Sequence, residues 1–315
     1  MKIAIADSCQ LKFCRELKEH WEQKGHEVKY EWGGSEILAQ WADLYYIDWF
    51  DNNIAYVFNW YQNNPNAKKP KFTVRVIDMD FWTRGVRSQE MVNFVDYWIC
   101  IASHIENLLR RERDDISGEV IQWSNKLKLI KPGVNLDTFP LKTTKTDGFQ
   151  LGMVLGDMWW YKNHMAGLDI FTSLYRQDNR WRLHIRGQHE GGQYNPVMYE
   201  HYLESRGIKD VVTLYGNYLD MNDFYEKIDI LLHPGMKESF CYAVGEAMAK
   251  GIRAVVNEFY GSKDIWPEWI LYQTHQEAID LIKTPRTTIQ GHQEYIRYNY
   301  SLERQLKETN EFLGI

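Results

Sequence analysis

Short apolar segments alternate with amphipathic segments along most of this 315-residue chain. The apolar segments have the length and composition of buried strands, and helical patterns lie between them. Leu11–Lys24 is predicted to be the first helix, which ends before Gly25, and Ser301–Phe312 to be the last. This alternation predicts parallel α/β sheets. The predicted strands are Lys2–Ala6, Val28–Trp32, Leu44–Trp49, Phe72–Ile77, Tyr97–Ala102, Gln122–Ile130, Gln150–Leu155, Arg182–Arg186, Val211–Tyr215, Ile228–Leu232 and Ala254–Asn257.

The length suits two domains better than one, since single hydrophobic cores stop growing beyond ~250–300 residues. Residues 141–149 are polar and lack periodicity, which predicts an interdomain linker. The expected fold class is therefore α/β, with two Rossmann-like doubly wound domains that face a central cleft. The first spans 1–140 and the second 150–297. A ligand is expected between the carboxyl ends of their strands.

Composition excludes several classes of protein. The formal net charge is −6, so no global basic field recruits nucleic acid. The amino-terminal residues read as a strand rather than a signal peptide, and no apolar run reaches the ~20 residues that span a bilayer. The four cysteines lack the paired spacing of zinc sites and suit a reducing compartment. We therefore expect a cytoplasmic protein with no transmembrane segment.

The stretch from His233 to Gly251 predicts a strand, a sharp turn and a helix. Pro234 and Gly235 follow a short apolar strand, and from about Ser239 the sequence becomes small and apolar until Gly251. The first amides of such a helix have no intrahelical acceptor, so they form an anion site. Glu238 is expected at the mouth of that site, and Glu246 roughly 12 Å further along the axis.

This stretch resembles the E-x7-E signature of retaining, nucleotide-sugar-dependent glycosyltransferases of the GT-B fold, in particular family four. The family pattern is approximately Pro-Ser-x-x-Glu-Gly-Phe-Gly-x-x-x-x-Glu-Ala-Met-Ala-x-Gly. Here Gly235 replaces the usual Ser and Ser239 the usual Gly, whereas both glutamates match. The resemblance also implies that the carboxyl-terminal helix, within 298–315, crosses back to the first domain.

Two further motifs carry the resemblance. Pro132–Phe139 is similar to the family's Pro-x-Gly-Val-Asp-x-x-x-Phe, which follows the last strand of the first domain. Gly156–Asn163 is similar to Gly-Arg-x-x-x-x-Lys-Gly, whose Arg and Lys neutralise the donor diphosphate. Lys162 matches that Lys, but Asp157 stands where the Arg is expected. Arg186, at the carboxyl end of another predicted strand, is the candidate replacement.

The resemblance implies a role for each matching residue. Glu238 would bind hydroxyls of the transferred sugar, and Glu246 the ribose hydroxyls of the nucleotide. Carboxylates suit both roles because each accepts several hydrogen bonds. The reaction would retain anomeric configuration and need neither metal nor cofactor, with a UDP- or GDP-sugar as co-substrate. Charge on the leaving diphosphate would be stabilised by Lys162, Arg186 and the chain at Ser239, Phe240 and Cys241.

Asp78 and Asp80 follow the fourth predicted strand, beside the position of the acceptor site in the family. Either carboxylate is a candidate base or positioning group for the acceptor hydroxyl. An equally good interpretation is a helix N-cap, which Asp favours. The Asp-x-Asp spacing is also that of a metal motif, but that motif belongs to a different glycosyltransferase fold.

Three functions remain open at this stage. The first is transfer of a sugar to a glycan or another hydroxyl acceptor. The second is a phage-type transfer to hydroxymethylated DNA bases, which needs a local basic groove such as 66–71 or 110–113 would supply. The third is a degenerate GT-B domain that only binds a sugar or a partner, which Asp157 favours and the two glutamates disfavour. A nicotinamide-dependent dehydrogenase is less compatible, since no Gly-x-Gly-x-x-Gly follows a strand.

Overall fold

The chain forms two compact units. The computed structural model describes residues 1–8, 10–49, 52–77, 88–123, 126–188, 196–217, 219–284 and 289–315. Unit 1 contains Met1–Pro132 and Glu303–Ile315, and unit 2 contains Gly133–Leu302. Within the described ranges, no helix combines the length and the apolar character needed to cross a lipid bilayer.

Strands and helices follow one another in the predicted alternation. The strands are β1 Lys2–Asp7, β2 Glu27–Trp32, β3 Leu44–Asp48, β4 Lys71–Val76, β5 Tyr97–Cys100, β6 Leu127–Leu129, β7 Gln150–Gly156, β8 Arg182–Gly187, β9 Val212–Leu214, β10 Ile230–His233, β11 Arg253–Asn257 and β12 Leu271–Tyr272. The α-helices are α1 Arg15–Gln23, α2 Glu36–Trp41, α3 Asn52–Asn63, α4 Gln89–Phe94, α5 Ser103–Leu109, α6 His164–Gln177, α7 Pro196–Ser205, α8 Met221–Lys227, α9 Tyr242–Ala249, α10 Ser262–Ile265, α11 His275–Lys283, α12 Ile289–Asn299 and α13 Leu302–Leu313.

Unit 1 contains a six-stranded parallel sheet in the order β2-β1-β3-β4-β5-β6. Strand β3 is buried along its whole length, as expected of a parallel strand with both faces covered. One face of the sheet packs against α1 and α13, where Trp21 and Leu313 lie in the same apolar cluster as Ile3 and Ile5. The carboxyl-terminal helix therefore belongs to the core of unit 1.

Unit 2 contains a second six-stranded parallel sheet, in the order β12-β11-β10-β7-β8-β9. Its core joins the sheet to α6 through Leu168, Phe171 and Leu174. The strand order reverses between β7 and β10, because the chain winds outward from β7 in one direction and from β10 in the other. Ligands of open α/β sheets bind beyond the carboxyl ends of the strands at such a switch point.

The fold class is confirmed, and several element boundaries differ from those predicted. The first helix begins at Arg15 rather than Leu11, because Gln10 and Leu11 adopt positive φ and the Leu11 amide donates to the Asp7 carboxylate. The sixth strand is only Leu127–Leu129, and β12, two residues long, was not predicted.

The polar segment 141–149 lies along unit 2. The Lys142 amide donates to the Lys250 carbonyl at 2.9 Å, and the Thr144 amide donates to the Glu226 carboxylate at 3.0 Å. Further upstream, Val134 pairs with Ser301 in a parallel bridge. The two compact units divide after Pro132 and after Leu302, whereas the sequence predicted a first domain of 1–140, a linker of 141–149 and a second domain of 150–297.

Candidate donor-binding site

The candidate site is formed by the loops that follow β7 and β10, the two strands at the switch point of unit 2. Lys162 ends a short 3-10 turn after β7, and Glu238 lies in the loop after β10. Their side chains form an ion pair, and 21% and 13% of their respective surfaces stay exposed. A backbone hydrogen bond from the Met236 amide to the Tyr161 carbonyl, 2.8 Å long, holds the two loops together. Two of the predicted site residues are thus in direct contact.

The ion pair keeps Lys162 charged. Burial by itself would lower the pKa of the ammonium, but the negative charge of Glu238 outweighs burial and raises the pKa overall. A partly open cation at the end of a strand is suited to binding an anionic ligand, because such a ligand can reach the charge without full desolvation of the site.

His233, the last residue of β10, is buried beside the pair. Its Nε2 lies 3.5 Å from the Glu238 carboxylate, and its Nδ1 lies 3.5 Å from the Cys241 sulfur. Burial lowers the pKa of His233 to about 4, so the ring is neutral near pH 7, and burial raises the pKa of the Cys241 thiol to about 12. A Cβ on Gly235 would lie 2.7 Å from His233 Nε2, which explains why this chain has Gly at that position.

Helix α9 begins later than predicted. Cys241 is its N-cap residue, with φ 50°, and the first helical residue is Tyr242, so Ser239 and Phe240 precede the helix. Phe240 is buried and packs against other aromatic rings, with centroid distances of 5.1 Å to Trp266 and 4.8 Å to Tyr300. The expectation of a helix start near Ser239 is therefore wrong. Phe240 is buried in the core, and the left-handed backbone of Cys241 prevents the helix from starting earlier.

Glu246, on α9, has a different partner from Glu238. Its carboxylate accepts a 2.8 Å hydrogen bond from the Tyr225 hydroxyl, which also contacts the Ala243 carbonyl at 3.0 Å. Burial, followed by the charge of Glu246, raises the pKa of Tyr225, while the charge of Arg186 acts in the opposite direction. Tyr225 therefore holds the Glu246 carboxylate in place. Sequence reasoning missed Tyr225.

Arg186 and Asp157 both contact the loop after β9. The Arg186 guanidinium donates to the carbonyls of Leu219 and Asn217, at 2.8 and 3.0 Å. The Asp157 carboxylate accepts from the side-chain amides of Gln188 and Asn217, at 3.1 and 3.4 Å. Arg186 is thus engaged with backbone carbonyls, and Asp157 is bound by neutral amides rather than by a cation.

Among the residues that the structure describes, two groups of side chains have the composition of metal ligands. His233, Glu238 and Cys241 form one, and Asp7, Cys14 and Asp48 form the other. In each group a protein cation already binds a carboxylate, since Lys162 pairs with Glu238 and Arg75 pairs with Asp48. Both groups are therefore described better as protein ion pairs than as metal centres. The predicted acceptor-side residues Asp78 and Asp80 lie outside the described residues.

Comparisons with known proteins agree with this architecture. Residues 141–279 match the family model described as "Glycosyl transferases group 1", and this range includes Lys162, Arg186, Glu238 and Glu246. No curated protein matches the chain.

Among solved structures, a glycosyltransferase from Rickettsia africae is 13% identical, with a TM-score of 0.73 over 99% of this chain and 98% of its own. Anabaena Alr3699/HepE in complex with UDP is 15% identical, with a TM-score of 0.71 over 100% of both chains. A sucrose-phosphate synthase from Thermosynechococcus elongatus is 14% identical, with a TM-score of 0.71 over 99% of this chain and 98% of its own. At these identities the likeness establishes the fold, which is that of GT-B glycosyltransferases.

Proposed function

We propose that this protein is a retaining glycosyltransferase that moves a sugar from a nucleotide-diphosphate sugar to a hydroxyl acceptor without a metal ion. The observation that carries the proposal is the Lys162–Glu238 ion pair at the switch point of unit 2. The match of residues 141–279 to a glycosyltransferase family supports it. The UDP complex of Anabaena Alr3699/HepE, a structure of the same fold, favours UDP as the nucleotide.

In the proposed reaction, the bond between sugar C1 and the β-phosphate oxygen breaks, and its electron pair leaves with the nucleoside diphosphate. Lys162 stabilises the developing negative charge, in a partly water-excluded site where electrostatic interactions are strong. The acceptor oxygen bonds C1 on the face that the diphosphate leaves, and the acceptor proton passes to the departing phosphate oxygen. The anomeric configuration is thereby retained.

The carboxylates serve recognition in this proposal. Glu238 binds hydroxyls of the transferred sugar while Lys162 holds it in place. Glu246 binds the ribose hydroxyls and is oriented by Tyr225. Arg186 and the chain at Ser239 to Cys241 are proposed to lie near the diphosphate, and Asp78 or Asp80 near the acceptor hydroxyl.

A donor screen tests the proposal. UDP- and GDP-sugars are added to the protein, and release of the nucleoside diphosphate is measured with and without EDTA. We expect slow hydrolysis of one donor, unchanged by EDTA, with the freed sugar first appearing as the same anomer in proton NMR. Release by Glu246→Ala should require a higher donor concentration. No release from any donor, or release abolished by EDTA, would contradict the proposal.

A further inference from the structure

The loop after β7 presents two tryptophan side chains to solvent beside the Lys162–Glu238 pair. Trp159 and Trp160 are 41% and 54% exposed, although indole rings are costly to leave in water. They occupy variable positions of the Gly-Arg-x-x-x-x-Lys-Gly pattern. The match to that pattern therefore does not account for them.

The loop is rigidly built. Gly156, Met158 and Asn163 all have positive φ, between 50° and 57°. The Met158 side chain is fully buried in the core of unit 2, which anchors the loop at its centre. The amides of Lys162 and Asn163 donate to the carbonyls of Trp159 and Trp160, at 2.9 and 3.0 Å. A non-glycine residue with positive φ is strained, and such strain is concentrated at ligand-binding segments. The exposed indoles are thus held by a defined backbone.

A series of ring contacts joins the Trp160 indole to the ion pair. The Trp160 ring meets the Tyr161 ring edge-on, with centroids 5.9 Å apart. The Tyr161 ring in turn lies 5.4 Å from the Lys162 ammonium and 5.7 Å from that of Lys237. The aromatic surface is therefore an extension of the site that holds Glu238.

Polar groups that match sugar hydroxyls lie on the same edge of the sheet. Asp157, Gln188 and Asn217 follow three neighbouring strands, and the two amides donate to one oxygen of the exposed Asp157 carboxylate. A carboxylate has about four lone-pair sites, so further hydrogen bonds can be accepted from a ligand. Apolar and aromatic surface with a few placed polar groups is the usual composition of a small-molecule site.

We propose that Trp159, Trp160 and Asp157 form a subsite for a pyranose ring of the acceptor, with the sugar's C–H face on an indole and its hydroxyls on the carboxylate. This inference rests on the proposed function, because it makes the acceptor a carbohydrate. It also accounts for Asp157: a diphosphate requires a cation at that position, whereas a neutral sugar is bound by a carboxylate.

Indole NMR tests the subsite. Protein labelled with ¹⁵N at its tryptophan indoles is titrated with methyl glucopyranoside, methyl galactopyranoside and methyl N-acetylglucosaminide, and Trp159→Phe and Trp160→Phe assign the signals. We expect at least one pyranoside to shift the Trp159 or Trp160 signal while that of Trp269, which is 50% exposed in the same unit, stays in place. Asp157→Ala should weaken this binding about 5-fold, the value of one hydrogen bond. No shift with any pyranoside, or equal shifts at Trp269 or with glycerol, would overturn the subsite.

Two further measurements separate this inference from its alternatives. UDP affinity, measured by calorimetry, should be the same in wild type, Trp160→Ala and the control Trp269→Ala; a loss confined to Trp160→Ala would assign the indoles to the nucleotide instead. Wild-type protein that sediments with phosphatidylglycerol vesicles, when Trp160→Ala does not, would make the surface a membrane contact and overturn the subsite. Absence of both UDP and GDP binding in wild type would contradict the proposed function, whereas a pyranoside shift at Trp159 or Trp160 in the same protein would still support the sugar subsite.

Discussion

The two units have the same kind of sheet, but they differ in how exposed an ion pair is near the point where the strand order reverses. In unit 1 this point lies between β1 and β3. Asp48, at the carboxyl end of β3, binds Arg75 on the neighbouring strand β4 through two hydrogen bonds, and 2% of each side chain is exposed. In unit 2 it lies between β7 and β10, where Lys162 and Glu238 remain partly exposed. A closed pair has no surface left for a ligand, whereas an open pair does. The ion pair beside the switch point of unit 1 thus serves structure, and the ion pair at the switch point of unit 2 serves donor binding, as we propose.

The largest effect is expected from breaking the closed pair. Arg75→Ala leaves Asp48 as a buried charge without its cation, which should cost about 3–5 kcal/mol of unfolding free energy. This loss is measured by urea unfolding that is monitored by hydrogen exchange in peptides of unit 1. Lys162→Ala should cost less in unit 2, because Glu238 keeps some contact with water. If Lys162→Ala is as destabilising as Arg75→Ala, the distinction between closed and open pairs fails.

The next effect is expected from acid, at the open pair of unit 2. The pKa of His233 is lowered to about 4 in the folded protein by burial, while the nearby Glu238 raises it and Lys162 lowers it. Unfolded His has a pKa near ~6.5, so the unfolded state binds more protons between these values and stability falls as the pH falls from 6.5 to 4. The loss approaches ~3 kcal/mol at pH 4.

His233→Gln removes this titration and serves as the comparison. The loss of unfolding free energy between pH 7.5 and pH 4 should be smaller in His233→Gln than in wild type. The difference between the two proteins should reach ~3 kcal/mol. Identical pH profiles for the two proteins would show that His233 does not titrate as described.

A smaller and more selective effect is expected from two matched tyrosines. Tyr225 donates to Glu246 in unit 2, and Tyr30 donates to Asp7 in unit 1, at 2.8 and 2.7 Å. Replacement of either by Phe removes one hydrogen bond, which is worth about 1 kcal/mol. Tyr225→Phe should weaken UDP binding about 5-fold by calorimetry, because Glu246 loses its orientation. Tyr30→Phe should leave UDP affinity unchanged, and an equal loss in both variants would contradict the assignment of nucleotide binding to unit 2.

The sequence predicted the sheets better than the site, for a physical reason. Buried parallel strands are continuous apolar runs, so β3 and β10 can be predicted from the local sequence alone. The boundaries of elements cannot be predicted in this way where they depend on tertiary contacts. The first helix starts at Arg15 because the Asp7 carboxylate captures the Leu11 amide, and α9 starts at Tyr242 because Phe240 packs against Trp266 and Tyr300.

Within the site, the spacing of motifs predicted individual residues but not their partners. The contact between Lys162 and Glu238 joins residues 76 apart in sequence, and it follows from the pairing of β7 with β10. The positions of His233 and Tyr225 beside the two glutamates could not be predicted, since a buried His or Tyr has the sequence pattern of an ordinary core residue. Gly235 was a partial indication of the His233 position, because the family has Ser there and the adjacent His233 ring leaves no room for a Cβ.

The central claim, that unit 2 binds the donor at its open ion pair, is tested most directly by UDP titration of Lys162→Met. The control is Lys263→Met, which removes an exposed lysine that pairs with Glu258 in the same unit. Loss of a charged hydrogen bond to phosphate is worth about 1.5–3 kcal/mol, so Lys162→Met should weaken UDP binding roughly 10- to 150-fold while Lys263→Met leaves it unchanged. Equal UDP affinity in wild type and Lys162→Met would contradict the account.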